Sequence, residues 1–556
     1  MGNTERCQSG DGSRKLLIQS KPVGGRSTAT IERTDHRPIR MASTVDIGAP
    51  EMWRVYHEAT KHSPESLRRA PHGLDWANMP DPFRHYEGVP VLDLPADPPA
   101  LPVPTLEVLE GFSGTTPVAD GATFLSQLLF YSAAISASKV VPSTGYRYAL
   151  RVNPSSGNLH PTEFHFLTRG FRNWPAGLYH YRPSSHMAEQ RAVGRLEMKP
   201  TSDVSPLTFI LTSIAWREAW KYGERAYRYC LHDIGHAWQA LALAARALGC
   251  NAYALGHFPD DELVHSWRLN EDEWPMLIVE VDGPSIPKDR PANRDLVWLG
   301  GNANQLSREQ TQFPLIRAIH SATRFPAGPD VPGMSCNTAD RRASARVGEI
   351  HLPSPVSSNR RFGETVRARR SALDFVGGER MMSLAQLATI LHIVARPFNA
   401  DFGNARLVDL YLYAHRVDEL PPGLYRFREE SVTLEGMKSG DQRVMAAGLS
   451  LGQQLAGNAC VAFSMAGDLE LATKLHGNRG YRYAYFEAGA IGQRLYLAAE
   501  ALGLGATGIG AFYDDEVNRY LNLDPERGQV LYHFAIGYPI PDPRLSAKSS
   551  VVEPAW

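Results

Sequence analysis

The chain has 556 residues, 43% hydrophobic and 21% charged, with a formal net charge of -1. That length exceeds the roughly 250–300 residues at which one core stops growing, so two domains are expected, and the near-neutral charge argues against nucleic acid as a partner. The five cysteines (Cys7, Cys230, Cys250, Cys336, Cys460) form no CxxC or Cys/His cluster, so neither a metal site nor a disulfide framework is expected.

The scattered cysteines fit a reducing, cytoplasmic setting. No run approaches ~18 apolar residues, so no membrane span is expected. Residues 1–45 are polar, basic and rich in Gly, Ser and Thr, and are read as a disordered tail, with Met41 as an alternative start. Residues 46–283 and 361–545 then read as two folded domains. The stretch between them, 284–360, is rich in Pro, Gly, Ser and Arg and reads as a linker or wrapping arm.

In the first domain LSQLLFYS from Leu125 reads as a helix. The loop RVNPSSGNLHP follows, Arg151 to Pro161, and then the strands FHFLTR from Phe164 and GLYHYRP from Gly177. A long helix carries Leu241, Ala245 and Leu248 at helical spacing and stops at Gly249. A short strand, an acidic helix at Asp260–Asp261 and the strand MLIVEVDGP complete the domain. The second domain opens with RARRSALDF from Arg367, expected at the start of its first helix. It continues through LAQLATIL, DLYLYAHR, GLYRFRE, a long helix stopped by Gly503, the strand GATGIGAF, Asp514–Asp515 and YHFAIGYP.

These two lists are one list written twice. From Arg228 and Arg482 the copies align without a gap: Gly235 with Gly489, Gln239 with Gln493, Gly256 with Gly510, and Asp260–Asp261 with Asp514–Asp515. The expected fold is α+β, as two tandem domains that form a pseudo-dimer within one chain.

Three segments carry the candidate chemistry. In the loop, Pro154 fixes the entry, Ser155, Ser156 and Asn158 offer donors and acceptors, and Gly157 permits close backbone approach; alone, such a segment is a turn. Arg367, Arg369 and Arg370 with Ser371 suit a phosphate dianion at a helix start, although an arginine cluster is more often a solvated face. Gly508 and Gly510 around Ile509 suit contact with a flat ring. GLGATG from Gly503 satisfies GxGxxG, but a helix precedes it and a strand follows, the reverse of the Rossmann order.

Arg-Arg-Ser, the Pro-Ser-Ser-x-Asn loop, the Gly-Ile-Gly-x-Phe strand and the final Gly-Tyr-Pro together resemble the FMN-dependent nitroreductase superfamily. Within it, HEATKHSPES from His57, LDWANMPDPFRHY from Leu74 and WREAWKYGERAYRYCLHDIGHA from Trp216 resemble the SagB-type dehydrogenases, which oxidise thiazolines and oxazolines in peptide-derived metabolites. The resemblance implies one FMN site built from both copies, with Arg151, Pro154, Ser155, Ser156 and Asn158 from the first and Arg369, Arg370, Ser371, Gly508, Ile509 and Gly510 from the second. The mirror site, at Ala254, Leu255, Gly256 and His257, is expected to have lost its cofactor, because DFGNARLVD stands where the second copy's loop should be. The resemblance also places a proton-removing pair on Lys221 and Tyr222, with burial or a neighbouring cation such as Arg225 adjusting Lys221, and it implies a peptide-derived or carrier-bound azoline as substrate. Two other readings remain open: an NAD(P)H-dependent nitro or quinone reductase, and a flavin-free scaffold.

Overall fold

The computed structural model describes residues 51–547 apart from 70–72, 115–119, 144, 197–204, 284–285, 287–295, 326–348, 404, 525 and 527, so the expected tail lies outside the described residues. The first copy runs from helix α1 (Gly121–Phe130) into strands β1 (Thr162–Thr168), β2 (Gly177–Arg182), β3 (Met187–Val193) and β4 (Leu207–Ser213). It ends in α2 (Ala215–Tyr222), α3 (Ala226–Ala247), β5 (Asn251–Leu255), α4 (Asp260–Ser266) and β6 (Trp274–Asp282). In the second copy the same order recurs as α5 (Leu384–Val394), β7 (Val408–Ala414), β8 (Gly423–Arg428), β9 (Thr433–Ser439), β10 (Val461–Asp468), α6 (Leu469–His476), α7 (Gly480–Ala501), β11 (Gly505–Ile509), α8 (Asp514–Tyr520) and β12 (Gly528–Gly537).

Both sheets are antiparallel and share one strand order, β3-β2-β1-β4-β6-β5 and β9-β8-β7-β10-β12-β11. Each copy therefore holds two more strands than the sequence reading placed. Thr433–Ser439 alternates poorly because most of it is exposed, and Met187–Val193 carries Glu, Gln and Arg although it is buried.

Local sequence sets the element ends. Asp120 caps α1 through Thr123 N–H, and Ser383 with Gln386 closes a capping box on α5. Both long helices stop where Gly249 and Gly503 turn left-handed, at φ +77° and +74°.

The segment expected as a linker does more than connect. Val297–Trp298 extends the first sheet beside β3, and Glu349–His351 extends the second beside β9. The helix Pro314–Ala322 hangs its first backbone N–H groups on the Glu224 carboxylate.

Helices α3 and α7 cross at their aligned glycines, and one hydrophobic core runs through both copies. The crossing is flanked by two matching ion-pair clusters. Arg225 and Arg228 of the first copy hold Asp514 at 2.9 and 2.7 Å, while Arg479 and Arg482 of the second hold Asp260 at 2.6 and 3.2 Å. All six side chains are buried, so each copy supplies the counter-charge that the other requires. No helix among the described residues is long and apolar enough to cross a membrane.

Candidate active site

A cleft of about 400 Å³ opens between the copies. Its walls include Arg151, Pro154, Ser155, Ser156 and Asn158 from the first copy and Arg369, Arg370, Ser371, Gly508, Ile509 and Gly510 from the second. Tyr222 also lines it. Lys221 lines an adjoining cavity that shares Tyr148, Gly157, Asn158 and His160 with the cleft.

The Pro-Ser loop is held from beneath by α3. Asp233 accepts hydrogen bonds from Ser156 N–H at 3.2 Å and from the Ser156 hydroxyl at 3.2 Å, and Ser155 Oγ accepts from His160 N–H at 2.8 Å. Asn158 Nδ2 donates to Ala149 O and its Oδ1 faces His160 Nε2, so its amide is engaged within the loop. Burial pushes the Asp233 carboxyl up to about 7, against the serine hydrogen bonds that favour its charge.

The arginine cluster sits elsewhere in its helix than the sequence suggested. Phe362–Ala368 is the helix, and Arg369 caps its C-terminal end, so Ser371 follows a helix end and no helix-start N–H groups contribute. Ser371 instead bridges to Ala506 beside β11. The three guanidinium groups clasp the backbone of the first copy: Arg367 donates to Ile135 O, Arg370 to Ser136 O, and Arg369 to Val152 O and Arg151 O. Arg370 spends its other Nη on carbonyls of its own turn. Arg369 Nη1 is different, being buried without a hydrogen-bond partner, as are Nε and Nη1 of Arg151. Burial pulls the Arg151 guanidinium down to about 10 and lowers Arg369 as well. Both arginines line the cleft, and their positive charge there suits an anion.

The glycines serve side chains here. A Cβ on Gly508 would lie 1.9 Å from Tyr532 Oη, and one on Gly510 would lie 2.5 Å from the Tyr229 ring. Gly508 N–H donates to Tyr496 Oη, which also bonds Ser371 Oγ, and the Tyr229 hydroxyl donates to Gly510 O. Gly157, at φ +60°, makes room for the expected pair: a Cβ there would stand 2.6 Å from Tyr222 Oη and 3.1 Å from Lys221 Nζ. Lys221 and Tyr222 thus converge on the loop that walls the cleft.

Arg225 does not serve Lys221, because it lies in the Asp514 ion pair. The acidic side chain beside Lys221 is Glu218, one turn earlier on α2. Glu218 is fully buried, and burial and then Asp233 raise its carboxyl well above the ordinary range, against Lys221 and the Ser155 hydroxyl, which favour its charge. Glu218, Asp233, His236, Tyr496 and Tyr532 were not singled out from the sequence. Asp233 had a usable signal, since it aligns with Glu487 in the repeat.

At the mirror position, Asp401 accepts from Gly256 N–H at 2.7 Å and His257 N–H at 3.0 Å, while Phe402 stacks on Tyr483 at 4.3 Å. A Cβ on Gly256 would strike both rings. The segment replacing the loop fills the space that the first loop leaves open. Among the described residues no His, Cys, Asp or Glu cluster could hold a metal ion.

A duplicated α+β unit with a composite cleft defines the class of protein, and comparison with known sequences agrees. The nitroreductase family matches residues 133–283 and 366–538, more than half of the chain and both copies. The chain belongs to the nitroreductase family. A putative nitroreductase of Methanocaldococcus jannaschii is 31% identical over 119 residues, which is 21% of this chain and 59% of that protein, so the chain spans less than two thirds of this relative's length. The crystal structure of a putative nitroreductase from Anabaena variabilis is similar over 88% of this chain and 99% of its own, with 26% identity and a TM-score of 0.69.

Proposed function

We propose that the protein is an FMN-dependent oxidoreductase, a SagB-type dehydrogenase that oxidises thiazoline or oxazoline rings to azoles. The observation that carries this reading is the composite cleft, lined by Arg151 and the Pro-Ser loop from one copy and by Arg369, Ser371 and the glycine strand from the other. These residues fit an anionic, planar cofactor. FMN bound there would supply a hydride acceptor.

Arg369 and Arg151 would hold the phosphate, and Arg369 reaches it from the second copy while tied to the first copy's backbone. Ring oxidation also releases a proton from the carbon next to the carbonyl, and Lys221 Nζ or Tyr222 Oη, converging at Gly157, would take it. Burial and Glu218 raise the Tyr222 hydroxyl well above its ordinary value, so Tyr222 enters as a neutral donor that orients or relays, and Lys221 is the base. Asp233 positions the loop.

The test is the visible spectrum and flavin stoichiometry of the purified protein beside Arg369→Ala and Ser155→Ala/Ser156→Ala variants. One FMN per chain, bound at least about tenfold more weakly in both variants, supports the composite site. Two per chain overturn its asymmetry, and none after FMN is added leaves a scaffold. Oxygen uptake driven by a thiazoline supports the dehydrogenase, whereas NADPH-driven quinone turnover with no thiazoline turnover reassigns the protein as a reductase.

A further inference from the structure

The cavity adjoining the cleft has about 460 Å³, more than the cleft itself, and Trp76, Phe83, Tyr146, Tyr148 and Trp220 are among the residues that wall it. Trp76 meets Trp220 edge to face at 5.3 Å, and Tyr146 stacks over Tyr148 at 6.4 Å. Trp76 is 69% exposed and Tyr146 47%, which is costly surface for two large aromatic side chains and places them at a mouth. Trp220 is fixed in place by its indole N–H, which donates to Asp75 O at 2.9 Å.

Charge in this cavity is one-sided. Its cations are Lys221, Arg147 and Arg182, and its one carboxylate is Asp81. Asp81 already accepts Phe83 N–H at 2.8 Å, and burial raises its carboxyl, which weakens it as an anion. Arg182 reaches Glu189 at 3.6 Å and Lys221 has Glu218 one turn earlier on α2, whereas Arg147 has no ion-pair partner among the described residues. Stacking walls select a flat apolar group, and a lining with three cations and one carboxylate selects an anion attached to it.

We infer that this cavity binds the substrate, and that the substrate is a flat, ring-bearing carboxylate or similar organic anion. The inference rests on the reading of the adjoining cleft as the flavin site. Its place follows from the shared wall: Gly157, Asn158, His160 and Tyr148 face both spaces, and Lys221 stands in the cavity while Tyr222 stands in the cleft. A ring held among the aromatic side chains is thereby delivered to the proton-accepting pair. Amines of the same shape meet Arg147 and Lys221 and are repelled.

The experiment is calorimetric titration of the full chain with 2-naphthoate, neutral 2-naphthalenemethanol and cationic 2-naphthylmethylamine, with flavin absorbance recorded on the same samples. Naphthoate is expected to bind at least tenfold more tightly than the amine. Arg147→Ala should reduce that preference at least threefold, and Trp76→Ala should weaken naphthoate and the alcohol about tenfold. Equal affinity for the three probes, no binding of any, or binding indifferent to both substitutions overturns the inference. Naphthoate preference in a chain that takes up no flavin keeps the anion pocket and removes the flavin reading; a flavin-loaded chain without the preference does the reverse.

Discussion

Gly235 and Gly489 lie against one another where α3 crosses α7, and neither has room for a side chain. A Cβ on Gly235 would stand 2.2 Å from Phe486 O and 3.0 Å from Gly489 Cα; one on Gly489 would stand 2.2 Å from His232 O and 3.1 Å from Gly235 Cα. Within a helix, Gly→Ala normally stabilises by about 0.5–1 kcal/mol. Here the sign reverses, because the new methyl strikes backbone that cannot move aside. Gly235→Ala and Gly489→Ala should each destabilise by about 1–3 kcal/mol. Urea unfolding checks this, and a gain in stability would mean that the helices do not cross so closely.

The Arg228–Asp514 pair and its counterpart Arg482–Asp260 predict equal sensitivity on the two sides of that crossing. Burial alone would raise the Asp514 carboxyl, but Arg225 and Arg228 hold it below its ordinary value. Its folded value is depressed, so its stabilisation is present above the unfolded value near ~3.9 and is lost as pH falls through the folded one. Asp514→Asn strands two buried guanidinium groups and should cost about 3–5 kcal/mol at pH 7, as should Asp260→Asn. The gap between wild type and Asp514→Asn should narrow below pH ~4. A constant gap from pH 3 to 7 would mean that the carboxylate charge contributes nothing.

What the sequence shows and hides follows from how local each feature is. The duplication is legible because Gly249 and Gly503 end their helices, and Gly235 and Gly489 touch, for reasons fixed at single positions. The loop residues Pro154 to Asn158 are contiguous, so their shared wall is legible too. Asp233, His236, Tyr496 and Tyr532 lie inside regular elements, and they face the cleft only because α3, α7 and β12 are oriented by the crossing of the two copies. Arg369 misleads in the opposite way: Arg-Arg-Ser reads as a helix start, yet Thr365 O accepts the Arg369 N–H and the helix ends there. Arg225, offered by the resemblance as a cation near Lys221, instead pairs with the other copy's Asp514.

Phe402 carries a prediction about the mirror site. It is buried, stacked on Tyr483 and packed beside Trp238 at 5.6 Å. Phe402→Ala should cost about 3–5 kcal/mol, since the ring leaves a cavity. It should not raise flavin stoichiometry, because Asp401 still faces the opened space with a carboxylate on Gly256 and His257 N–H, which repels a phosphate. Absorbance of the variant after FMN addition decides it, and a second flavin per chain would show that Phe402 alone closes the site.

Asp233 gives the protein a pH dependence opposite in sign to that of Asp514. Its folded carboxyl titrates at about 7, well above the ~3.9 of an unfolded chain. Between those values the folded state binds the extra proton, so this group's contribution to stability falls as pH rises, by at most about 1.4 kcal/mol per pH unit, and is level above the folded value. Asn in its place keeps an oxygen to accept Ser156 N–H and carries no charge to desolvate. Asp233→Asn should therefore remove most of the decline between pH 5 and 7 and should bind flavin within about threefold of wild type, because the loop stays anchored. Denaturant midpoints of both proteins at pH 5 and pH 8 provide the measurement. If the two curves run parallel, Asp233 is ionised throughout that range, and the loop is held by a charged carboxylate.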